Sequence, residues 1–164
     1  MKTERLLNAF LPGAPPAPCW RYDPGNTIVC TAKRAAKNKF SLRAQTVAVA
    51  LETDGGTYRF PPIAAHQPVC DWCVFAQQSL NAYFVELKGS DFVHAVEQIE
   101  RTLDYMARQY RLHPVKAFAV LKGAHPSNAR PGKADAKAKF QKHHPGVALL
   151  ERSPGQEKPT DLVE

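Results

Sequence analysis

The chain contains no run of about 18 consecutive apolar residues, the length that a membrane-spanning helix requires. We therefore expect no membrane span and no membrane partner. The first residues include an early Glu4 and lack a clear hydrophobic region of a signal peptide, so a cytoplasmic location is the default expectation. Internal repeats are also absent. A length of 164 residues favours one domain that is large enough to bury its own core.

Acidic residues are scarce in two long segments. Residues 32–43 contain five Lys or Arg and no acid, and residues 116–144 contain seven against Asp135 alone. The formal net charge is +7, which favours a polyanionic partner, nucleic acid before membrane. The second segment could instead be a solubilising helix face, and stacking aromatics are not clustered there. The candidate nucleic-acid contacts are Lys33, Arg34, Lys37, Lys39, Lys133 and Lys137.

Cysteines are few, and they do not form the two closely spaced pairs that are typical of a structural zinc site. Cys70 and Cys73 make one such pair, whereas Cys19 and Cys30 lie far apart in the sequence. If residues 69–75 form a strand, Cys70 and Cys73 also point to opposite faces. We therefore expect free thiols that pack as small apolar groups rather than zinc ligands.

Proline, glycine and charge divide the chain into three regions. Residues 1–26 are predicted to hold a short amphipathic helix over 1–11 and a proline-rich arm. Residues 27–152 are predicted to form the core domain, and residues 153–164 a polar, disordered tail. Within the core, the basic residues 33–39 are predicted to be a turn or a phosphate-facing loop. The predicted strands cover residues 27–32, 45–51, 57–60, 69–75, 82–88, 115–121 and 147–150, with a turn at Asp54-Gly55-Gly56.

Two helices complete the predicted architecture. Apolar residues recur at helical spacing over 91–109, after Ser90 as a plausible N-cap, and residues 133–142 form a second, basic helix. Strand, helix and strand in succession favour a right-handed parallel crossover between residues 82–88 and 115–121. We therefore predict an α/β fold with a central mixed β-sheet flanked by α-helices.

The segment Tyr83-Phe84-Val85-Glu86-Leu87-Lys88-Gly89-Ser90-Asp91 is the strongest candidate for a functional site. In a strand, Glu86 and Lys88 share one face while Val85 and Leu87 point into a core. Asp71 lies on the preceding predicted strand, so its carboxylate could converge with Glu86. Buried charges at a strand end are costly unless they are paired or hold a ligand.

This set of groups suits metal-dependent phosphodiester cleavage. Asp71 and Glu86 could hold Mg²⁺ or Mn²⁺ through carboxylate oxygens, together with the main-chain carbonyl of Leu87 and water. The metal would polarise a phosphate and lower the pKa of a bound water. Lys88 could orient that water and neutralise charge that develops on the phosphate.

With these residues in place, the sequence resembles the PD-(D/E)XK nuclease superfamily, which has the restriction-endonuclease-like fold. The resemblance covers roughly residues 27–150, and its motif core is residues 71–98. It implies that Asp71 is the metal-binding acid of the second core strand and that Glu86 and Lys88 are the acid and lysine of the third. Gln98 resembles a glutamine on the following helix that supports the site in several branches. These four residues, Asp71, Glu86, Lys88 and Gln98, are therefore the candidate catalytic set.

The sequence departs from the superfamily pattern at two positions. Cys70 precedes the first acid where proline is common, and Thr102 stands where some branches have tyrosine. A glutamate on a first helix is frequent in the superfamily, and Glu4 is the N-terminal candidate. The resemblance implies a Mg²⁺-dependent nuclease acting on DNA in preference to RNA. Many members pair two sites as a homodimer, although no apolar stripe in this sequence indicates one.

Other interpretations of the same residues stay open at this point. Glu86 and Lys88 could be a surface ion pair, Asp71 a turn-capping carboxylate and Gln98 a solvated helix position. His94 could reach a phosphate or be polar surface, and His143 with His144 could face nucleic acid or solvent. At the level of function, the alternatives are a catalytically silent nuclease-fold protein that binds nucleic acid as a scaffold, and an interaction protein for an acidic partner.

Overall fold

The structure is a computed structural model that describes residues 3–14, 17–32, 35–54, 67–122, 132–155 and 158–162. Its helices are α1 (Phe92–Tyr110) and α2 (Lys133–His143), and a single 3₁₀ turn covers Leu7–Ala9. The strands in chain order are β1 (Thr3–Leu6), β2 (Pro18–Tyr22), β3 (Thr27–Ala32), β4 (Ala35–Arg43), β5 (Ala48–Glu52), β6 (Trp72–Ala76), β7 (Asn81–Lys88), β8 (His113–Leu121), β9 (Ala148–Arg152) and β10 (Thr160–Asp161).

A seven-stranded mixed sheet forms the centre of the molecule, in the order β1-β2-β5-β6-β7-β8-β9. The strands from β1 to β7 pair antiparallel, whereas β7, β8 and β9 run parallel. Helix α1 connects β7 to β8, which is the predicted parallel crossover. The prediction of an α/β fold with a mixed sheet is therefore confirmed.

The two faces of this sheet bury different cores because side chains alternate along each strand. On one face, Phe84 of β7 packs with Ile99 of α1 and Phe140 of α2. On the other face, Val85 packs in a cluster that also holds Phe118 of β8. In the described part of the chain, both helices therefore cover the same face of the sheet.

A second sheet, in the order β10-β4-β3, covers the opposite face. The Phe40 ring of β4 lies 4.8 Å from the Phe118 ring of the central sheet, measured between centroids. Trp72 donates its indole N–H to the carbonyl of Thr31 in β3 at 2.9 Å. The molecule thus has three layers, which are helices, central sheet and small sheet.

Several local predictions were wrong. Residues 3–6 form an edge strand of the central sheet instead of a helix, so Glu4 pairs with Trp20 of β2 and is not on a first helix. The basic residues 35–39 belong to β4 rather than to a loop. The tail includes β10, and Leu162 is buried, so this part of the tail is ordered against β4. The predicted strand 57–60 and residues 55–56 of the turn lie outside the described residues.

The remaining predicted elements agree with the structure to within a few residues. The strand predicted over 69–75 begins only at Trp72, and the strand predicted over 45–51 begins only at Ala48. Helix α1 is capped by Asp91 rather than by Ser90, because the Asp91 carboxylate accepts the main-chain N–H of His94 at 3.0 Å. No helix among the described residues is long and apolar enough to cross a membrane.

All four cysteines are free and buried, as predicted. The expectation that Cys70 and Cys73 point to opposite faces of one strand was wrong. Strand β6 begins after Cys70, so strand alternation does not apply to Cys70, and both cysteines pack in the same core beneath α1.

Candidate active site at the ends of strands β6 and β7

Two hydrogen bonds of opposite direction join Asp71 to Glu86 and to Leu87 across the end of the β6–β7 hairpin. The main-chain N–H of Asp71 donates to Glu86 Oε2 at 3.0 Å, and the N–H of Leu87 donates to Asp71 Oδ2 at 2.8 Å. Asp71 lies directly before β6, where Trp72 pairs with Val85. Asp71 therefore lies beside Glu86, as predicted, and its carboxylate also caps a strand end, because it accepts the main-chain N–H of Leu87 on the neighbouring strand.

Both carboxyl groups are buried enough to shift their titration. Glu86 is 2% exposed. Burial raises the pKa of Glu86 to about 8, the nearby Asp71 carboxylate adds to the rise, and Lys88 opposes it. Burial raises the pKa of Asp71 to about 6, against the lowering effect of the hydrogen bond from Leu87. Two acids that share one partly buried site thus resist ionising together.

Lys88 lies on the same face of β7 as Glu86 and at the rim of the site. Its Nζ is 3.5 Å from Glu86 Oε1, and its side chain is 31% exposed. Val85 and Leu87 point into the opposite core, as the alternation predicted. Glu86 and Lys88 do form an ion pair, but Glu86 is buried, so the pair is not fully exposed at the surface. Of these three residues, Asp71 and Lys88 are partly exposed, whereas Glu86 is buried.

Helix α1 holds the segment that leads into Asp71 by three side chains on one face. Gln98 donates its Nε2–H to the carbonyl of Val69 at 2.9 Å, and Arg101 donates to the carbonyl of Pro68 at 2.6 Å. The hydroxyl of Thr102 accepts the main-chain N–H of Cys70 at 2.9 Å and donates to the carbonyl of Gln98. The helix therefore fixes residues 68–70 and, through them, the position of Asp71.

Gln98 is a positioning residue in this arrangement. It is 4% exposed, so the interpretation as a solvated helix position was wrong. Its Oε1 atom is buried and accepts no hydrogen bond. Thr102 makes the equivalent contact one turn later, although the sequence marked it only as a departure from the superfamily pattern.

Sequence reasoning missed the residues that support Asp71 from β5. The main-chain N–H of Thr53 donates to the carbonyl of Asp71 at 2.9 Å, and the Thr53 hydroxyl donates to the carbonyl of Cys70. The carboxylates of Asp54 and Glu52 also raise the pKa of Asp71. Only the pairing of β5 with β6 brings these residues to the site, and no local sequence signal indicated it.

Residues in register on the parallel strands β7, β8 and β9 form a row across the sheet that begins at Glu86. Glu86 of β7 pairs with Ala119 of β8, and Ala119 pairs with Glu151 of β9. Glu151 forms an ion pair with Lys133, whose ammonium group also lies 5.2 Å from the centre of the Phe92 ring. A second pair of charges therefore lies at the same edge of the sheet, separated from Glu86 by one alanine.

The candidate nucleic-acid contacts fall in different places. Lys133 is 8% exposed and belongs to the ion pair just described. Lys39 on β4 and Lys137 on α2 are exposed, and this strand and this helix cover opposite faces of the central sheet. Lys37 lies in β4, and only its backbone is described. Lys33 and Arg34 lie outside the described residues.

The histidines do not lie at the carboxylates. His94 Nδ1 is 3.7 Å from Glu97 on the exposed side of α1. His143 and His144 lie 3.4 Å and 3.8 Å from the Glu100 carboxylate, where α2 packs against α1. The His143 side chain is 51% exposed, in agreement with the solvent-facing interpretation, whereas His144 is mostly buried beside the acids of α1.

The donor set fits a hard divalent cation better than a soft one. Asp71 and Glu86 each use one oxygen for a main-chain N–H, and Glu86 Oε1 lies 3.5 Å from Lys88 Nζ. Among the described residues, no group of three or more His, Cys, Asp and Glu side chains is arranged to hold a metal. Mg²⁺ commonly takes one or two carboxylates and completes its shell with water and phosphate oxygens, which this pair could accommodate.

Comparisons of the chain with protein-family models, with curated proteins and with solved structures found no match. The geometry of the residues themselves is therefore the basis for any functional assignment.

Proposed function

We propose that this chain is a Mg²⁺-dependent nuclease with a restriction-endonuclease-like fold, related to the PD-(D/E)XK superfamily. Its substrate would be nucleic acid, DNA in preference to RNA. The observation that carries the proposal is the reciprocal pair of hydrogen bonds between the Asp71 and Glu86 segments, with Lys88 Nζ 3.5 Å from Glu86. A metal-binding acid pair beside a lysine is the arrangement that hydrolysis of a phosphodiester needs.

The two acids would hold the cation, and the main-chain carbonyl of Leu87 is the proposed third protein ligand. When bound, Mg²⁺ would supply a Lewis acid for the phosphate and a lower pKa for an attacking water. Asp71 and Glu86 must both be ionised to bind it, yet burial and their mutual repulsion favour their protonated forms. The carboxylates are therefore preorganised for a cation and destabilised in its absence.

Lys88 would act on the substrate side of the site. Its ammonium group can donate three hydrogen bonds and lies at the rim, where 31% of the side chain is exposed. It can orient the attacking water and neutralise charge on the phosphate in the transition state. Gln98 and Thr102 would contribute by holding the segment before Asp71, without contact with the substrate.

The parallel arrangement of β7, β8 and β9 supports the location of the site. Functional groups of α/β proteins gather at the carboxyl ends of such strands, and Glu86 and Lys88 lie at that end of β7. A homodimer would allow two sites to act on two strands. Its formation is part of the proposal and not needed for the chemistry of one site.

The test is cleavage of labelled double-stranded DNA, single-stranded DNA and RNA with Mg²⁺, with Mn²⁺ and with chelator. We expect metal-dependent cleavage that Glu86→Gln abolishes and that Lys88→Ala lowers by about 100-fold to 1,000-fold. Matched controls are Glu97→Gln and Lys158→Ala, which change charges on exposed side chains away from the carboxylates. Both controls should cleave at the wild-type rate.

The outcomes separate the proposal from its alternatives. Binding of nucleic acid without cleavage under any metal would reject the enzyme and favour a nucleic-acid-binding scaffold. Absence of both binding and cleavage of nucleic acid would favour an interaction protein for an acidic partner. Cleavage that survives Glu86→Gln would place the active site elsewhere.

A further inference from the structure

A cleft opens along the helix that positions Asp71, beside the C-terminal half of α1. Its volume is about 310 Å³, and it is lined by Gln67, Arg101, Tyr105, Arg108 and Gln109. Four of these residues are spaced by four, three and one positions on α1, so they share one face of the helix. Among the described residues, the lining contains two guanidinium groups, one aromatic ring, two amides and no carboxylate.

We propose that this cleft binds a segment of single-stranded nucleic acid, with its phosphates on Arg101 and Arg108 and a base stacked on Tyr105. The inference rests on the proposed function only in taking nucleic acid as the ligand. It deepens that function by naming the strandedness of the bound segment and the surface that holds it.

The chemistry of the lining favours phosphate. A guanidinium group presents five N–H donors in a planar fork that matches phosphate oxygens. Arg101 is held in place because it donates to the Pro68 carbonyl at 2.6 Å. Arg108 is exposed and its nearest acid is Asp104, at 4.0 Å, in a surface pair that is worth little in solution. A phosphate could therefore displace Asp104 at small cost.

The aromatic ring favours a base. Tyr105 is partly buried, and its ring lies 6.2 Å from the Tyr110 ring at an interplanar angle of 58°. An aromatic side chain beside cationic groups is the usual platform for unpaired bases, because every base has a π-face. A cleft of about 310 Å³ is at the small end of ligand sites, which suits one nucleotide unit.

Two side chains of α1 connect the cleft to the segment that precedes Asp71. Arg101 holds Pro68 at the cleft, and Gln98, one turn earlier on α1, holds Val69. Asp71 follows two residues later. From Gln98 to Tyr105 the helix rises by about 10 Å. A strand that enters at Tyr105 can therefore run along α1 toward the Asp71 and Glu86 carboxylates.

Direct binding in the presence of chelator tests this inference, because cleavage cannot occur there. The probe is a fluorescein-labelled 12-mer of thymidylate, and the readout is fluorescence anisotropy over a range of salt concentrations. We expect Tyr105→Ala to weaken binding by about 5-fold to 100-fold, whereas Tyr105→Phe retains the ring and the affinity. Arg108→Gln should weaken binding and make the slope of log K against log salt shallower by about 0.7.

Two further variants guard against a trivial loss of folding. Asp104→Asn removes the carboxylate beside Arg108 and should tighten binding, a gain that a misfolded protein cannot give. Lys158→Gln removes an exposed positive charge near β10, distant in the fold from α1, and should leave the slope unchanged. A 12-base-pair duplex should compete poorly with the single strand.

The inference is overturned if Tyr105→Ala and Arg108→Gln both bind within twofold of wild type, or if the duplex competes as well as the single strand. These results differ from those that would reject the nuclease. Binding of the 12-mer that depends on Tyr105, without cleavage under any metal, would support nucleic-acid binding in the cleft and reject the nuclease. Normal cleavage by both cleft variants would support the nuclease and reject nucleic-acid binding in the cleft.

Discussion

Asp71 donates its main-chain N–H to the Glu86 carboxylate at 3.0 Å, while its own carboxylate accepts the N–H of the residue after Glu86. Each carboxylate thus accepts a main-chain N–H that, in a regular antiparallel ladder, would donate to a main-chain carbonyl. This substitution terminates the β6–β7 pairing and turns both carboxylates toward the same edge. The strand end and the candidate site are one structural feature.

Burial of two acids at this edge has a thermodynamic consequence without metal. Their pKa values are raised to about 6 and about 8 by burial, so the folded protein binds more protons than the unfolded chain between these values and about pH 4. A fold that holds such groups gains stability when they are protonated and loses it when they ionise.

The stability of the metal-free protein should fall as pH rises from about 4.5 to about 8. In this range the unfolded carboxyl of Glu86 is ionised while the folded one keeps its proton, so the free energy of unfolding decreases by at most about 1.4 kcal/mol per pH unit for each such proton. Urea unfolding in chelator at several pH values measures the slope. Glu86→Gln should flatten it, and Glu97→Gln should not. An unchanged slope in Glu86→Gln would contradict the assignment.

Affinity for Mg²⁺ or Mn²⁺ should increase as pH rises from 6 to 9. The cation requires ionised carboxylates and must displace the protons that the raised pKa values retain. Isothermal titration calorimetry in two buffers of different ionisation enthalpy gives the number of protons released on binding. We expect release of one proton or more near pH 7 and a smaller number near pH 9. Binding that is independent of pH would exclude Asp71 and Glu86 as the ligands.

Thr102→Val should destabilise the protein by about 1–3 kcal/mol, because it leaves the buried N–H of Cys70 without an acceptor. Thr102→Ser keeps the hydroxyl and should behave like wild type in urea unfolding. If the helix positions Asp71, Thr102→Val should also weaken metal binding under conditions where the variant is folded. Normal metal binding with reduced stability would limit Thr102 to a structural role.

Lys133 and Glu151 should show strong coupling in a double-mutant cycle. Both side chains are largely buried, so removal of one partner leaves an unpaired charge. We expect Lys133→Met and Glu151→Gln each to cost about 3 kcal/mol in unfolding free energy, with a coupling energy of about 1–3 kcal/mol. Additive effects would show that the two side chains are not coupled and would contradict this prediction.

The local pattern was sufficient for much of the framework. Period-two alternation in residues 82–88 correctly separated Glu86 and Lys88 from Val85 and Leu87, since side-chain direction in a strand is a local property. Helical spacing of apolar residues located α1, and the order strand, helix, strand gave the parallel pairing of β7 with β8. These predictions needed no information about distant residues.

The wrong predictions concern segments in which a tertiary contact overrode the local conformational preference of the sequence. Residues 3–6 have helical composition, but the unpaired edge of β2 provides main-chain partners and makes them a strand. Basic residues 35–39 continue β4 because the apolar side chains of Phe40 and Leu42 pack onto the central sheet. The tail forms β10 for the same reason, since β4 offers a free edge to Thr160–Asp161.

For the segment around Glu86, the sequence by itself determined that Glu86 and Lys88 share a face and that a helix follows them. Only the tertiary structure decided what those charges meet. Antiparallel pairing brings Asp71 to Glu86, and three contacts from α1 fix the segment before Asp71. Periodicity is encoded residue by residue, whereas convergence of charges depends on strand order and register, which arise from packing of the whole chain.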